Sequence, residues 1–311
     1  MSDSRELRRR RREQKERRYK MMRRRILAAV VLLVILLLLL AAVIAIVHHH
    51  QEKVHLKSVH KMTDVSLQVD AAIATAIDRS RNIPQREDLK TVTDEDGNTY
   101  LADPDNICVL VNKEFHLSPK YEPDDLVTVE VPFAPGRSWD VQRMRADASA
   151  ALTQLFNAAK EEKGYELYGA SGYRSYIVQR SLFNSNVARF GSEASANFLS
   201  AKPGQSEHQL GLAMDLTVPS LNYRLKYEFE DTEEGKWVAE NCWRFGFILR
   251  YIKDKTNITG YSYEPWHVRY VGKDLAKYLY DNNLTLEEYY GYGPKYDTSG
   301  IELKPDNESY E

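Results

Sequence analysis

The chain has 311 residues, and its 43 Lys and Arg almost balance its 45 Asp and Glu. The balance hides an asymmetry, because residues 1–25 carry 13 basic and 4 acidic side chains, a charge of +9, and leave −11 for the rest. A hydrophobic content of 43% excludes a wholly disordered chain, and 15 Gly with 11 Pro exclude a collagen-like one. Two cysteines are too few for a disulfide framework or a Cys-rich zinc module.

An apolar segment follows the basic segment at 1–25. Residues 26–47 contain no charged residue, Pro or Gly, and as a helix they extend about 33 Å, enough to cross a hydrocarbon core of about 30 Å. A cleaved signal peptide is the competing interpretation, but its apolar region is shorter, about 7–15 residues. We therefore predict a transmembrane signal anchor in contact with membrane lipid. The basic flank predicts a cytoplasmic N-terminus and an extracytoplasmic location for the rest, and we do not expect it to bind nucleic acid.

Residues 48–98 are predicted to form a spacer that is partly helical, because apolar side chains recur at helical spacing from Val65 to Ile77. A His-rich tract can bind metal, but no Asp, Glu or Cys partner stands at a suitable spacing here. We therefore expect solvated histidines. Those in the spacer are His48, His49, His50, His55 and His60.

The pattern of residues 99–292 predicts one folded domain, followed by a polar tail at 293–311 that we expect to be disordered from Tyr296. Asp96-Gly97 predicts a turn just before it. Strands and helices intermix without a regular βαβ repeat, which predicts an α+β fold. The predicted strands are 107–111, 126–131, 165–170, 213–218, 247–252 and 268–271, and the predicted helices are 138–162, 175–190, 235–245 and 273–282.

For the cysteines and two of the tryptophans of this domain, the sequence predicts a structural setting but no functional role. Cys108 and Cys242 each lie in an apolar run. Two buried thiols and a disulfide are both compatible with that pattern outside the cytoplasm. Trp237 and Trp243 lie on a helical stripe and are expected in the core.

The segment SEHQLGLAMDL, residues 206–216, carries a candidate pair of metal ligands. His208 and Asp215 are seven positions apart with Gly211 between them. A turn at Gly211 would let both side chains point at one ion, and imidazole and carboxylate are both zinc ligands. Either residue alone would more often be an ordinary core or surface group, so the pair needs a third ligand.

A third ligand is available in the segment EPWHVRY, where His267 follows Glu264 by three positions. Glu264 is then free to take a proton from a metal-activated water and to deliver it to a leaving amine. His116 is the other histidine in the globular part, but it has no motif partner. The sequence therefore favours His208, Asp215 and His267 as the ligand set.

With these motifs in view, the sequence resembles the zinc D-alanyl-D-alanine carboxypeptidases of the VanY type, which share a fold with D-Ala-D-Ala dipeptidases and the hedgehog signalling domain. The resemblance extends over about Asp105 to Tyr290. It implies a hedgehog/DD-peptidase-like catalytic domain with a central, mostly antiparallel sheet flanked by helices. The family motif Ser-x-His-x-x-Gly-x-Ala-x-Asp is matched by Ser206, His208, Gly211, Ala213 and Asp215, and its Glu-Pro-Trp-His motif by residues 264–267.

The resemblance also implies roles for residues around one catalytic Zn²⁺. In the family, an Arg in a Gly-Tyr-Arg-Ser sequence and a Gln five residues later line the substrate site, and these match Arg174 and Gln179. A guanidinium can bind a terminal carboxylate by two parallel bonds or face a developing oxyanion. Ser206 is expected to bind the substrate backbone. The aromatic residues expected to shape the pocket are Tyr173, Tyr261 and Trp266.

The activity implied is that of a membrane-anchored carboxypeptidase that removes the C-terminal D-Ala from peptidoglycan stem peptides. Related alternatives are an L,D-carboxypeptidase acting on tetrapeptide stems, a dipeptidase or an endopeptidase, because all of these share one hydrolytic apparatus. A wall-binding or signalling module that keeps the zinc site without catalysis is the alternative outside the enzymes. Such a module has no need of the base that Glu264 supplies.

Overall fold

The computed structural model describes residues 21–22, 48–51, 53 and 86–298. The chain divides into two compact units, 1–81 and 82–311. The described residues of the first unit are helical, and His48, His49 and His50 among them are exposed. The predicted membrane helix at 26–47 and the predicted spacer helix from Val65 to Ile77 lie outside the described residues. None of the helices in the described ranges is long and apolar enough to cross a membrane.

Four antiparallel strands form the central sheet of the second unit, in the order β5-β6-β8-β7. They are β5 (Tyr168–Ser171), β6 (Ala213–Thr217), β7 (Phe247–Leu249) and β8 (His267–Tyr270). Two hairpin-like pairs precede them: β1 (Thr91–Thr93) with β2 (Thr99–Leu101), and β3 (Leu126–Thr128) with β4 (Arg143–Arg145). Every residue of β6 is buried, as expected for a central strand that is covered on both faces.

Helices alternate irregularly with these strands, which confirms the α+β prediction. The helices of this unit are α1 (Ala146–Lys163), α2 (Tyr176–Phe190), α3 (Glu193–Leu199), α4 (Glu233–Asn241), α5 (Thr256–Thr259), α6 (Lys273–Asn282) and α7 (Leu286–Tyr289). Short 3₁₀ helices cover Asp140–Gln142, Glu207–Leu210, Pro219–Leu221, Tyr227–Asp231 and Cys242–Phe245.

The main core forms between α1 and the central sheet. Leu152 and Leu155 of α1 are fully buried and pack in one apolar cluster with Met214 and Leu216 of β6. Trp237 of α4 belongs to the same cluster, as predicted. Each such side chain contributes about 1.5–3 kcal/mol when it is removed from water, so this packing fixes the position of β6.

The predicted strand at 107–111 is wrong, although its burial is right. Val109, Leu110 and Val111 are buried, but the segment has no strand assignment. The carbonyl oxygens of Ile107 and Val109 instead accept hydrogen bonds from the guanidinium of Arg269, at 3.0 and 2.9 Å. A buried side chain thus satisfies backbone groups that a sheet neighbour would otherwise bind.

Other element boundaries differ from the predictions. The helix predicted over 138–162 begins at Ala146, because Arg143–Arg145 pairs with β3. The strands expected at 126–131, 165–170 and 247–252 are shorter or displaced. The helices α3, α5 and α7 were not predicted, since segments of 7, 4 and 4 residues carry little periodicity.

Three further expectations are corrected, two at the ends of the unit and one at the cysteines. β1 lies inside the segment assigned to the spacer. Tyr296, where the tail was expected to become disordered, is held by a hydrogen bond from its backbone N–H to the Asn257 carbonyl at 2.9 Å. Cys108 and Cys242 are free thiols, so the disulfide alternative is wrong.

Candidate metal and active site

The register of the central sheet brings two of the three candidate ligands, Asp215 and His267, together. Asp215 lies in the middle of β6, directly opposite His267, the first residue of β8. On the other side of β6, Ser171 of β5 is paired with Asp215. Antiparallel neighbours at opposite positions have Cβ atoms about 4.5–5.5 Å apart, so sheet pairing alone places the carboxylate and the imidazole side by side.

His208 reaches the same point from the 3₁₀ helix Glu207–Leu210, which ends at Gly211. Gly211 has a φ of +67°, and a Cβ there would lie 2.7 Å from a methyl carbon of Leu126. Glycine adopts this left-handed conformation without steric cost. The turn that the sequence predicts at Gly211 is therefore confirmed, and it leads directly into β6.

The side chains of His208, Asp215 and His267, which we call the ligand cluster, each offer one donor atom, and these atoms lie within 4.8 Å of one another. Nε2 of His208 is 3.2 Å from one carboxylate oxygen of Asp215, and Nδ1 of His267 is 3.0 Å from the other. The two imidazole rings meet edge to face, with centroids 5.0 Å apart. All three side chains are buried.

The two histidines present different ring nitrogens to the cluster. Nδ1 of His208 donates a hydrogen bond to the carbonyl oxygen of Gly172 at 2.7 Å, which leaves the Nε2 lone pair for a ligand. Position 172 has no room for a larger residue, because a Cβ there would lie 2.5 Å from the Arg143 carbonyl oxygen. In His267 the arrangement is reversed: Nδ1 faces Asp215, and Nε2 lies 3.5 Å from a carboxylate oxygen of Glu207.

The donor set fits a divalent cation. Oδ1 of Asp215 is buried, and apart from Nδ1 of His267 at 3.0 Å it has no hydrogen-bond partner among the described residues. Buried polar atoms are nearly always satisfied, and a cation bound by both atoms would satisfy them. Two imidazoles and one carboxylate are the three protein ligands typical of a catalytic zinc site.

Burial and neighbouring charge set the protonation of these groups. Burial lowers the pKa of His208, which favours the neutral, metal-binding imidazole. Burial would also lower the pKa of His267, but the carboxylates of Asp215 and Glu207 outweigh it and raise the pKa to about 9. Burial would raise the pKa of Asp215, yet the adjacent imidazoles lower it well below its usual range. In the metal-free protein, His267 therefore carries a proton that a metal must displace.

Glu264 lies beside the ligand cluster without belonging to it. One of its carboxylate oxygens is 3.7 Å from Nδ1 of His267. Burial raises the pKa of Glu264 to about 8, and the charge of Asp215 acts in the same direction, while His267 and Arg174 oppose it. A carboxyl group with a pKa near neutrality can both take up and release a proton at physiological pH.

Arg174 also lies near Asp215, with a guanidinium nitrogen 3.9 Å from the carboxylate. The guanidinium donates to the side-chain oxygen of Gln179 and to the hydroxyl of Ser171, both at 2.8 Å. Gln179 in turn donates to the carbonyl of Ala201 at 2.6 Å. Gln179 is buried, and its hydrogen bonds hold the Arg174 guanidinium at the edge of the ligand cluster.

A cleft of about 520 Å³, counting the part open to solvent, lies over the cluster. Ser206, Tyr261 and Trp266 line it as predicted, whereas Tyr173 is not among its lining residues and packs instead on the guanidinium of Arg143. The apolar part of the lining is formed by Leu182, Leu199, Ala201, Leu225 and Trp266.

His116 does not join the ligand cluster. Its Nε2 lies 2.9 Å from the Lys113 carbonyl oxygen and 3.0 Å from the Gln205 amide nitrogen. The sequence interpretation also missed several residues at the site. Tyr251 lines the cleft, Ser171 holds Arg174 and Glu207 contacts His267. Of these three residues, only Glu207 could have been suspected from the sequence, because it precedes the candidate ligand His208. Its position next to His208 does not, however, predict its contact with His267.

Two imidazoles and a carboxylate, with a further carboxylate and an arginine beside them in a cleft, define a site of the metal-dependent hydrolase class. The sequence profile of the VanY family, described as D-alanyl-D-alanine carboxypeptidase, matches residues 141–273. The protein YodJ of Bacillus subtilis (strain 168) is 48% identical over 203 residues, which span 65% of this chain and 72% of YodJ. The chain therefore belongs to the VanY family of carboxypeptidases.

Two further relatives are named by their activities. A D-alanyl-D-alanine carboxypeptidase of Enterococcus faecalis (strain ATCC 700802 / V583) is 40% identical over 156 residues, 48% of this chain and 56% of that protein. The solved structure of the LdcB LD-carboxypeptidase matches with a TM-score of 0.61 and 47% identity, over 67% of this chain and 95% of that one. Similarity therefore extends to both D,D- and L,D-carboxypeptidases.

Proposed function

We propose that this protein is a membrane-anchored zinc carboxypeptidase that removes the C-terminal D-alanine from peptidoglycan stem peptides. The observation that carries the proposal is the convergence of three donor atoms within 4.8 Å, with the Glu264 carboxylate 3.7 Å from one of them. A binding module would need neither a carboxylate in that position nor a pKa near neutrality.

In the proposed mechanism, Nε2 of His208, the carboxylate of Asp215 and Nδ1 of His267 would hold one Zn²⁺. The ion supplies a Lewis acid, which polarises a carbonyl group and makes water more acidic. Glu264 takes the proton of the attacking water and transfers it to the nitrogen of the leaving D-alanine. In the metal-free protein, burial raises the pKa of Glu264 to about 8, and the positive charge of a bound ion would lower that pKa and favour the carboxylate that accepts the proton.

The remaining residues position the peptide. Arg174, held by Gln179 and Ser171, presents its guanidinium to the cleft. There it binds the substrate carboxylate or stabilises the oxyanion that develops at the scissile carbonyl. Ser206, buried at the edge of the cleft, offers a hydroxyl to the peptide backbone, and Trp266 forms an apolar wall.

Two bonds are candidates for cleavage. Similarity to the VanY profile and to the enterococcal enzyme supports a D,D-carboxypeptidase that shortens pentapeptide stems. The 47% identity to the LdcB LD-carboxypeptidase over 95% of that chain supports the second candidate, which cleaves tetrapeptide stems. The purified enzyme is to be incubated with defined pentapeptide and tetrapeptide stems, and the products read by mass. Loss of one D-alanine from the preferred stem is expected; no cleavage of either stem by zinc-loaded enzyme would contradict the proposal.

We further propose that residues 1–25 remain in the cytoplasm, 26–47 span the membrane, 48–98 form a spacer, and a catalytic domain at 99–292, followed by a polar tail at 293–311, lies outside the cytoplasm. The support is the uncharged run at 26–47 after a basic segment that also attracts anionic lipid. Protease added to intact protoplasts should degrade the catalytic domain while a cytoplasmic marker protein survives. Protection of the domain until the cells are lysed would contradict this topology.

A further inference from the structure

Four buried charged side chains adjoin the ligand cluster: Glu207, Arg250, Arg269 and Glu287, which we call the arginine–glutamate cluster. Each has at most 1% of its surface exposed. Arg250 donates to Glu207 at 2.7 Å and to the two oxygens of Glu287 at 2.8 and 2.7 Å, and Arg269 donates to Glu207 at 2.7 Å. Burying charge is costly, and apolar residues of similar volume often stabilise a fold as well. Stability alone therefore does not account for an ionic cluster at this position.

The two oxygens of Glu207 are used differently. Both arginines bind the same oxygen, Oε1. The other oxygen, Oε2, lies 3.5 Å from Nε2 of His267. Both of these atoms are buried, and neither has a hydrogen-bond partner elsewhere in the described part of the chain. The arginines thus hold the carboxylate in place and leave Oε2 directed at the imidazole.

The protonation of His267 in the metal-bound state follows from its geometry. Nδ1 faces Asp215 and is the atom available to a metal, so the ring proton of the metal-bound imidazole must be on Nε2. That proton points to Oε2 of Glu207. A distance of 3.5 Å is longer than a well-formed hydrogen bond, and a shift of about 0.5 Å would make it one, as catalytic contacts commonly tighten when a site is loaded.

We propose that Glu207 is a positioning residue for His267: its Oε2 accepts the Nε2 proton, fixes the tautomer and the ring plane, and so directs Nδ1 at the metal, while Arg250 and Arg269 hold the carboxylate. This inference rests on the metal site of the proposed function. Carboxylates that orient a metal-bound imidazole in this way also increase its strength as a ligand. His208 receives the corresponding support from the Gly172 carbonyl at 2.7 Å, so each imidazole has its own acceptor.

The test compares two isosteric substitutions within one cluster. In Glu207→Gln, the amide oxygen can stay with the arginines, and the amide N–H₂ then faces the Nε2 proton of His267, donor against donor. Glu287→Gln is the matched control, because Glu287 is equally buried and is bound by the same Arg250, but its side-chain hydrogen bonds go to Arg250 and Asn112. Zn²⁺ affinity is measured by competition with a chromophoric chelator, and the Co²⁺-loaded proteins are compared by visible absorption.

We expect Glu207→Gln to weaken Zn²⁺ binding about 10–100-fold and to change the Co²⁺ spectrum, while Glu287→Gln does neither. If Glu207→Gln binds within about threefold of the unchanged protein, or if both variants weaken binding equally, the positioning role is overturned. Failure of the unchanged protein to bind Zn²⁺ would instead overturn the proposed function, so the two failures are distinguishable.

A folding defect is separated from the positioning role by a third variant. Near-ultraviolet circular dichroism reports whether each protein is folded. If Glu207→Gln is unfolded, Glu207→Asp keeps the charge for the arginines but withdraws the carboxylate from His267. The proposal requires Glu207→Asp to fold and to bind Zn²⁺ more weakly than the unchanged protein. Unweakened binding, or a failure of this variant to fold as well, would assign Glu207 to stability alone and overturn the proposal.

Discussion

The ligand cluster and the arginine–glutamate cluster adjoin each other and are both buried, but they satisfy their charges in different ways. In the arginine–glutamate cluster, two guanidinium groups face two carboxylates, and Arg269 also donates to the carbonyls of Ile107 and Val109. In the ligand cluster, a carboxylate faces two imidazoles, and apart from Nδ1 of His267 at 3.0 Å, Oδ1 of Asp215 has no hydrogen-bond partner among the described residues. In the first cluster, Oε2 of Glu207 is the one buried side-chain oxygen or nitrogen without a hydrogen-bond partner in the described part of the chain, whereas the second cluster would be completed by a cation.

We therefore expect the arginine–glutamate cluster to contribute mainly to stability and the ligand cluster mainly to activity, although the two clusters are in contact. Glu207 belongs to one cluster and contacts His267 of the other at 3.5 Å, so it is the point where they meet. Changes to the ligand cluster should affect metal binding and catalysis with little effect on folding. Changes to the arginine–glutamate cluster away from Glu207 should do the reverse.

Metal removal should have the largest effect. Treatment with 1,10-phenanthroline is expected to reduce hydrolysis of stem peptides to background, because the ligand cluster alone provides no Lewis acid. Near-ultraviolet circular dichroism should stay unchanged, since the arginine–glutamate cluster needs no cation. Added Zn²⁺ should restore activity. Full activity after verified removal of all bound metal would contradict the assignment.

Glu264→Gln should reduce kcat by about 10²–10⁴-fold, the usual contribution of a general base. The zinc content should be unchanged, because Glu264 lies beside the ligand cluster rather than in it. Glu130→Gln, at an exposed position, is the matched control and should leave kcat unchanged. A Glu264→Gln enzyme with near-normal kcat would remove Glu264 from the base role.

Arg250→Met should lower the free energy of unfolding by about 3–5 kcal/mol, because it leaves Glu287 buried without its cation. Lys277→Met is the comparison, since it breaks an exposed i,i+4 pair with Asp281 worth about 0.3–0.5 kcal/mol. Urea unfolding monitored by tryptophan fluorescence measures both. An equal decrease in the free energy of unfolding in the two variants would show that the buried ion pair contributes no more to stability than the exposed one.

Zinc binding should release at least one proton at pH 7. Burial opposes a charged His267, but the neighbouring carboxylates raise its pKa to about 9, so the metal-free imidazole is protonated at pH 7 and must lose the Nδ1 proton on binding. Affinity should therefore rise with pH up to about 9 and then level off. Calorimetry in buffers of different ionisation enthalpy counts the protons. A count near zero at pH 7 would contradict this protonation state.

The sequence predicts the ligand cluster because two short motifs carry it: local rules position His208 and Asp215, and His267 is identified by the Glu-Pro-Trp-His motif. Gly211 ends the 3₁₀ helix with a φ of +67°, and the apolar run after it forms the buried strand β6 that carries Asp215. Helix α6 was predicted with its observed limits, Lys273–Asn282, because its apolar face and the Asn that follows give clear signals.

What the sequence does not reveal depends on contacts between distant segments. The run at 107–111 has the composition of a buried strand, but Arg269, 162 and 160 positions away from Ile107 and Val109, takes the place of a sheet neighbour. Glu207 is similar, because a charged residue next to a metal ligand is ordinarily expected at the surface. Only the folded chain shows the two arginines that make its burial tolerable.

Anomalous X-ray diffraction at the zinc absorption edge, from crystals of the zinc-loaded protein, would locate the metal directly. We predict one strong peak per chain, within bonding distance of Nε2 of His208, the carboxylate of Asp215 and Nδ1 of His267, with the Glu264 carboxylate outside the first coordination sphere. A folded, zinc-saturated chain with no peak between these three side chains would contradict the assignment.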